Sequence, residues 1–527
     1  MNKIGFKNFR KFENFPMLSL GDTTLLVGSN NAGKSTFVKA ALIIYNLIHT
    51  RVGDFRNNNL LNSLTPKVNF DVTEPYDVHI GTFARAKRRN ADVTDALVFD
   101  FDLEGFEIEV RVNSRIVDNK IDQDSSDADI KYISIKDSYN NVEYSVDYTT
   151  QRMYIEFHKS ITEKESKDIK NAVKERDYIE EALKVEKDFK KILDLKSRLS
   201  ELNKKIHSLN KENNMESYKL DVTNREYSDS VSEYYLVNII KSFIEYAKEP
   251  LNSTLDKKSK EYKKEYQDKT TLQTKLNIME DSMKKIGYVI PLTEMEYVYA
   301  HAARQIIFFN SKDKNDYMAQ TIHEFNTSKA IYDTSVQAFI NKWMKEFKIG
   351  ESCTIKSHGG EAYEVFIDNG IEVSNMADMG MGSIQLMILL FKLGTYIKKY
   401  GNRIFPPTIL IEEPEQNIHP ILQSKLADMF LSLNKDFNFR FIIETHSEYL
   451  VRHCQVLAAK RIYEENVPVE EINKSIKVYY FSEERGPVDM LFMDNAKFQE
   501  TFDEGFFDQA AREALTISRL ERLHNRK

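Results

Sequence analysis

Ile4-Gly5-Phe6-Lys7-Asn8-Phe9 roughly alternates apolar and polar residues, the two-residue period of a strand. Thr24-Leu25-Leu26-Val27 is a short apolar run that stops at a glycine. Both predict sheet strands. Phe37 to His49 then reads as a helix with one apolar face, and apolar and acidic residues alternate from Ala96 to Val112, which predicts an antiparallel layer. From about Ile161 to Ile286 the character changes to Lys/Glu-rich helix without a glycine and with one proline, Pro250. Within that stretch Ile192, Leu195, Leu199, Leu202, Ile206 and Leu209 recur at coiled-coil spacing, and Leu272, Leu276, Met279, Met283 and Ile286 answer them. Polar residues at Asn210 to Met215 offer a point of return. We read the pair as an antiparallel coiled-coil arm; the other reading is a helical bundle packed on the head. After Gly287 strand-like patterns resume at Met295 to Ala300 and Glu361 to Ile371, with helix near Ser335 to Phe347. The expected division is residues 1–160 and 287–527 for the two parts of one head, with 161–286 inserted between them.

A chain of 527 residues exceeds one ordinary core, so more than one unit is expected. The 41% hydrophobic fraction supports a sizeable core, while 29% charged residues and a mean hydropathy of -0.50 call for long solvated surfaces. Met1 to Phe12 lacks a continuous apolar segment, and no stretch of ~18 apolar residues occurs, so no membrane partner and a cytoplasmic location are expected. Cys353 and Cys454 stand far apart, which indicates neither a disulfide framework nor a zinc site. A net charge of -7 argues against a uniformly basic nucleic-acid surface. The local run Arg85-Ala86-Lys87-Arg88-Arg89 is either a solvated loop or a phosphate contact, which keeps DNA among the candidate partners.

Gly28-Ser29-Asn30-Asn31-Ala32-Gly33-Lys34-Ser35-Thr36 is a full G-x-x-x-x-G-K-[ST] loop between a strand and a helix. Its glycines let backbone N–H groups wrap a phosphate, Lys34 reaches the β- and γ-phosphates of ATP, and the Ser35 hydroxyl ligates Mg²⁺. Thr408-Ile409-Leu410-Ile411 is an apolar strand running into Glu412-Glu413-Pro414-Glu415. In this arrangement the first acid, Glu412, holds the metal and the second, Glu413, polarises the attacking water. Phe441-Ile442-Ile443-Glu444 is a further apolar strand, and it ends at Thr445-His446-Ser447, which sets His446 to meet the γ-phosphate and the Glu413 water. Asp378-Met379-Gly380-Met381-Gly382-Ser383-Ile384-Gln385 precedes an apolar helix, Leu386 to Leu393, and a helix N-terminus on flexible backbone is an anion site. Because the P-loop already cradles one phosphate, this second site makes sense if it serves the ATP of another subunit.

These motifs resemble the AAA_15/AAA_21 group of ABC-type ATPases, which includes the OLD (overcoming lysogenisation defect) proteins and is related to RecF and SMC heads. The likeness rests on Asn8-Phe9-Arg10 with the P-loop, and on roughly Tyr297 to Leu450: Asp378-x-Gly-x-Gly, Ile411-Glu412-Glu413-Pro414-Glu415, His419-Pro420 and Thr445-His446-Ser447-Glu448. Arg304 also looks like a family position. The resemblance implies an α/β P-loop head of the ABC/SMC type with an inserted coiled coil. It further implies Gly380, Gly382, Ser383 and Gln385 as the signature, Glu413 as catalytic base and His446 as switch histidine. Where family members often have Gly-x-Ser-Gln, this chain has Gly382-Ser383-Ile384-Gln385, so the hydroxyl is displaced; no Q-loop glutamine is identified. Some OLD relatives carry a C-terminal Toprim nuclease, but here about 80 residues follow His446, through a Gly505-Phe506-Phe507-Asp508 tail also seen in nuclease-free relatives. No nuclease domain is expected.

The function these features imply is an ATPase that dimerises or oligomerises head to head around ATP and Mg²⁺. It would control a separate effector, such as a nuclease, and the family analogy suggests anti-phage defence. The alternatives are a RecF/SMC-like ATPase of DNA repair or chromosome organisation, and a coiled-coil scaffold with a vestigial ATP site.

Overall fold

Every residue of Thr23–Gly28 (β3) is buried, as a strand covered on both faces must be. The computed structural model describes residues 1–50, 66–71, 80–92, 94–117, 120–158, 198, 218–221, 234–249, 257–299, 304–309, 316–360, 362–401, 403 and 407–524. In it β3 lies inside a six-stranded sheet of order β12-β17-β18-β3-β19-β20. The partners are β12 (Met295–Tyr299), β17 (Thr408–Glu412), β18 (Arg440–Thr445), β19 (Ile476–Ser482) and β20 (Gly486–Asp489). All run parallel except β20. Strand alternation sends Leu26, Leu410 and Ile442 into one core, shared with the helix α1 (Lys34–His49). Leu25, Ile409, Ile411, Phe441 and Ile443 face a second core, shared with α7 (Met381–Tyr400), α8 (Pro420–Phe437) and α9 (Glu448–Tyr463).

A ten-stranded sheet with a main order of β11-β10-β9-β8-β6-β5-β1-β2 shares the first core with α1. Its members are β1 (Lys3–Phe9), β2 (Phe12–Ser19), β5 (Leu97–Leu103), β6 (Phe106–Val117), β8 (Asp127–Asp137), β9 (Val142–Asp147), β10 (Arg152–Phe157) and β11 (Tyr218–Asp221). The short β4 (Lys67–Asn69) pairs with β8, and β7 (Lys120–Asp122) with β6. The acidic alternation read from Ala96 to Val112 is the solvent side of β5: Leu97, Phe99, Phe101 and Leu103 are buried and the residues between them are not. The turn Phe83–Ala86 (α2) closes against this sheet. A third sheet joins β13 (Phe308–Phe309), β14 (Ser352–His358), β15 (Ala362–Asp368) and β16 (Val373–Asn375). It packs with α5 (Tyr317–Thr327) and α6 (Thr334–Glu346) in the second core.

The first coil run, Ile192 to Leu209, lies outside the described residues. The second run is described, and it is a face of α4 (Lys260–Leu292), a helix of 33 residues. Leu272, Met279 and Ile286 are buried in the core that holds α1 and the antiparallel sheet. Beside them lies α3 (Tyr235–Lys248), contributing Leu236, Ile240 and Phe243. Polar ties fasten α4 to the sheet as well: the Ser282 hydroxyl donates to Asp137 at 2.6 Å and the Asn140 amide to Asp281 at 3.1 Å. The 3,4 spacing of a coil seam is also the spacing of an ordinary buried helix face, so the pattern alone does not say which partner fills it. Here residues 235–248 and 260–286, which lie in the Lys/Glu-rich stretch read as the insertion, are packed in the core that holds α1 and the antiparallel sheet. After α9 come α10 (Val469–Ser475) and, at the far end, the exposed helix α11 (Gln509–His524).

Candidate active site

The turn that leaves β3 is shaped by its glycine and asparagine positions. Gly33 has φ 112 and Asn31 φ 62, both in the left-handed region. A Cβ on Gly33 would sit 2.4 Å from the Phe12 ring, so only glycine fits beneath the β1–β2 turn. Lys11 from that turn donates to the Asn31 carbonyl at 2.7 Å and holds the loop from outside. Gly33 is also the N-cap of α1 and supplies no side-chain cap, which leaves first-turn N–H groups for a ligand. Asn30 and Asn31 are exposed at the loop's tip, while Ala32, Gly33 and Thr36 are buried. Lys34 is 3% exposed, and its ammonium donates to the Gly28 and Ser29 carbonyls at 3.0 Å each. Burial lowers its pKa, against the pull of Glu444.

Parallel pairing brings the carboxylates to the same level. Glu412 at the end of β17 is the Cα partner of Glu444 on β18, and Glu444 is the partner of Leu26 on β3. Since Leu26, Leu410 and Ile442 face α1, alternation puts Glu412 and Glu444 on that same face, under the P-loop. Glu444 is 4% exposed and accepts the Ser35 hydroxyl at 2.9 Å, with the Lys34 ammonium 3.8 Å away. Burial, then the neighbouring Glu412 charge, push its carboxyl up to about 7. Both partners of the Lys34–Glu444 pair therefore shift toward neutrality, so burial outweighs their attraction. Glu412 is raised mainly by burial, opposed by a hydrogen bond with Tyr297 and by Lys39.

Glu413 begins the loop after β17 with φ 42, a left-handed backbone uncommon for a glutamate, and its N–H donates to the Glu444 carbonyl at 2.8 Å. Its carboxylate meets the His446 Nε2 at 3.3 Å and accepts from the Gln416 amide. Glu415 is buried and fixes the histidine from behind, accepting the Thr445 hydroxyl at 2.8 Å and the His446 N–H at 2.6 Å. Burial, followed by the Lys34 charge, lowers the His446 pKa, and Glu413 opposes them. One ligand atom each of Glu413, Glu444 and His446 lies within 4.8 Å of the others.

The expected signature divides into two roles. Gly380 is exposed, caps α7 without a side-chain bond, and has open space around it. Ser383 follows half-buried, its N–H on the Gly380 carbonyl. Gly382 instead touches its own chain, for a Cβ there would lie 2.4 Å from the Asn417 carbonyl. Gln385, expected at the nucleotide, is 1% exposed and accepts from the Asn417 amide at 3.1 Å, so it braces the loop after Glu413 from inside. Among the described residues no hydrogen bond or ion pair joins 380–385 to 28–36. Arg304 is exposed.

These residues fit Mg-ATP. An uncapped helix N-terminus with a buried lysine suits a polyphosphate, and the Ser35 hydroxyl with the Glu412 carboxylate would supply hard oxygen donors of the kind that Mg²⁺ takes. The second oxygen of Glu444, Oε2, is buried and has no hydrogen-bond partner, as an oxygen reserved for a ligand would be. A match to the AAA ATPase domain (AAA_15) extends over residues 1–451.

The chain belongs to this family. Among curated proteins, the endonuclease GajA of Bacillus cereus (strain HuB5-5) is 26% identical over 182 residues, covering 30% of this chain and 26% of GajA. This AAA ATPase thus aligns with about a quarter of that relative's length. Among solved structures, the Smc head domain of Pyrococcus furiosus, with an extended coiled coil and bound to the C-terminal domain of ScpA, aligns at 11% identity. That match covers 93% of this chain and 96% of the other with a TM-score of 0.31. An SmcHead bound to the C-winged helix domain of ScpA aligns at 11% identity over 91% and 93%, with a TM-score of 0.29. The fold is α/β, that of a P-loop ATPase domain. Sequence reasoning gave no role to Glu444 or Glu415: Glu415 stood in the Ile411 to Glu415 motif without one, and Glu444 is brought to the site by the pairing of β18 with β17 and β3.

Proposed function

We propose that this AAA ATPase binds Mg-ATP on Gly28 to Thr36 and hydrolyses it with Glu413 as general base. The observation that carries the reading is the convergence of Lys34, Ser35, Glu413 and His446 at the carboxyl ends of β3, β17 and β18. Lys34 exchanges its two carbonyl contacts for phosphate oxygens. Ser35 and Glu412 would hold Mg²⁺, which when bound would supply charge neutralisation on the phosphates. Glu413 takes a proton from water as the new O–P bond forms; the bond to the β-phosphate oxygen breaks, and ADP and phosphate leave. His446, whose pKa is lowered by burial and the Lys34 charge, orients that water and the γ-phosphate.

Two heads are proposed to close on two nucleotides, with Gly380 and Ser383 of each facing the ATP of the other. In that reading the described signature works through its exposed cap and not through Gln385. The sequence run Ile192 to Leu209 is the candidate sensor, and a separate effector, possessing nuclease chemistry or another activity, gives the output; defence against phage is the role the family analogy supports. The test is ATP turnover by the whole chain and by Lys34→Ala. Turnover in the wild type and its loss in the variant support the reading. Equal turnover in both would remove the P-loop from the mechanism, and no turnover in either would favour the scaffold.

A further inference from the structure

Accepting the Mg-ATP reading above, three observations single out Glu444. The Ser35 hydroxyl, the group that the P-loop reserves for a divalent ion, is hydrogen-bonded to Glu444 Oε1 at 2.9 Å and not to Glu412. The other oxygen of the same carboxylate is buried without a partner, on a side chain 4% exposed. Finally, Glu444 stands beside Glu412 in the sheet register and within ligand distance of Glu413, so three carboxylates crowd a site whose one buried cation among the described residues is Lys34. Lys34 itself must turn to the phosphates when nucleotide binds. A buried carboxylate flanked by two half-buried ones is costly unless a further positive charge completes the site.

We propose that Glu444 is a metal-side residue of this site, holding the divalent ion of Mg-ATP together with Ser35, through its free Oε2 or through a metal-bound water. Glu412 then shares that duty with Glu444. Neither the strand pattern nor the P-loop spacing assigns this role, because Glu444 looks like the ordinary end of a core strand. In the nucleotide-free head the same carboxylate holds Ser35 and balances Lys34, and so keeps the P-loop in a receptive shape.

The test uses the full chain and a fluorescent ATP analogue, titrated with Mg²⁺ and, separately, with EDTA. The ratio of the two affinities measures what the ion contributes. Glu444→Gln keeps the size of the side chain and an acceptor for Ser35 while removing the charge. The expected result is a ratio reduced roughly 10-fold or more, with metal-free affinity unchanged or higher because a negative charge beside the phosphates is gone. Glu444→Ala should give the same loss, and Mn²⁺ binding to the protein–nucleotide complex, followed by the spin resonance of free Mn²⁺, should weaken in parallel. A wild-type ratio and wild-type Mn²⁺ affinity in Glu444→Gln, with the loss confined to Glu412→Gln, would overturn the proposal and leave Glu412 alone on the metal. Failure of the wild type to bind the analogue under either condition would instead remove the ATPase reading itself.

Discussion

Met279 gives the clearest measure of whether α4 belongs to the head. Its side chain is 0% exposed and lies in the core formed by α1 and the antiparallel sheet, one heptad from both Leu272 and Ile286. Met279→Ala removes most of a buried side chain and leaves a cavity that surrounding helices close only in part. Substitutions of this kind cost about 2–5 kcal/mol. The exposed Lys284 on the same helix provides the control, and its replacement by alanine should stay within about 0.5 kcal/mol of the wild type. The assay is urea unfolding, in which Met279→Ala should shift the midpoint down with an unchanged slope. By heating, a loss of this size corresponds to roughly 4–20 °C for a cooperative unit of ~150–250 residues. Since α1 starts at the P-loop, protection by Mg-ATP should be lost at the same lowered temperature. If Met279→Ala and Lys284→Ala unfold alike, the helix is not part of the core and the separate-arm reading returns.

Two further outcomes follow from the site. Burial pushes the Glu444 carboxyl up to about 7 in the folded protein from an ordinary 4.5, so between those values the folded state holds more protons than the unfolded one. Apo stability carried by this group therefore falls as pH rises through that window, by up to about 3 kcal/mol, and the pH dependence of Tm should flatten in Glu444→Gln; parallel curves would reject it. Gly382→Val should destabilise the head by about 1–3 kcal/mol through the Asn417 carbonyl even without nucleotide. Gly380→Val, with open space around it, should leave stability unchanged and act only on ATP-dependent association, and equal destabilisation by both would refute this division.

Where local chemistry dictates local structure, the sequence was readable. The P-loop glycines, the apolar strands ending in Glu412 and Thr445, and the alternation along Leu97 to Leu103 each carry their own geometry. Features set by a distant partner were not. Gln385 carries no mark of facing inward toward Asn417, and Gly382 reads the same whether it meets a nucleotide or its own chain. Glu444 becomes a site residue only through the register that sets β18 between β17 and β3. The face of α4 was legible as apolar, but not what covers it.

The central claim is that Glu413 drives ATP hydrolysis at this P-loop. Glu413→Gln keeps the size and hydrogen bonding of the side chain and removes the proton acceptor 3.3 Å from His446. The direct measurement is one turnover of labelled ATP by wild type and Glu413→Gln, with bound ATP and ADP separated after quenching. The account predicts binding retained, hydrolysis slower by roughly 10²-fold or more, and label held as intact ATP. Label converted to ADP at the wild-type rate would contradict it.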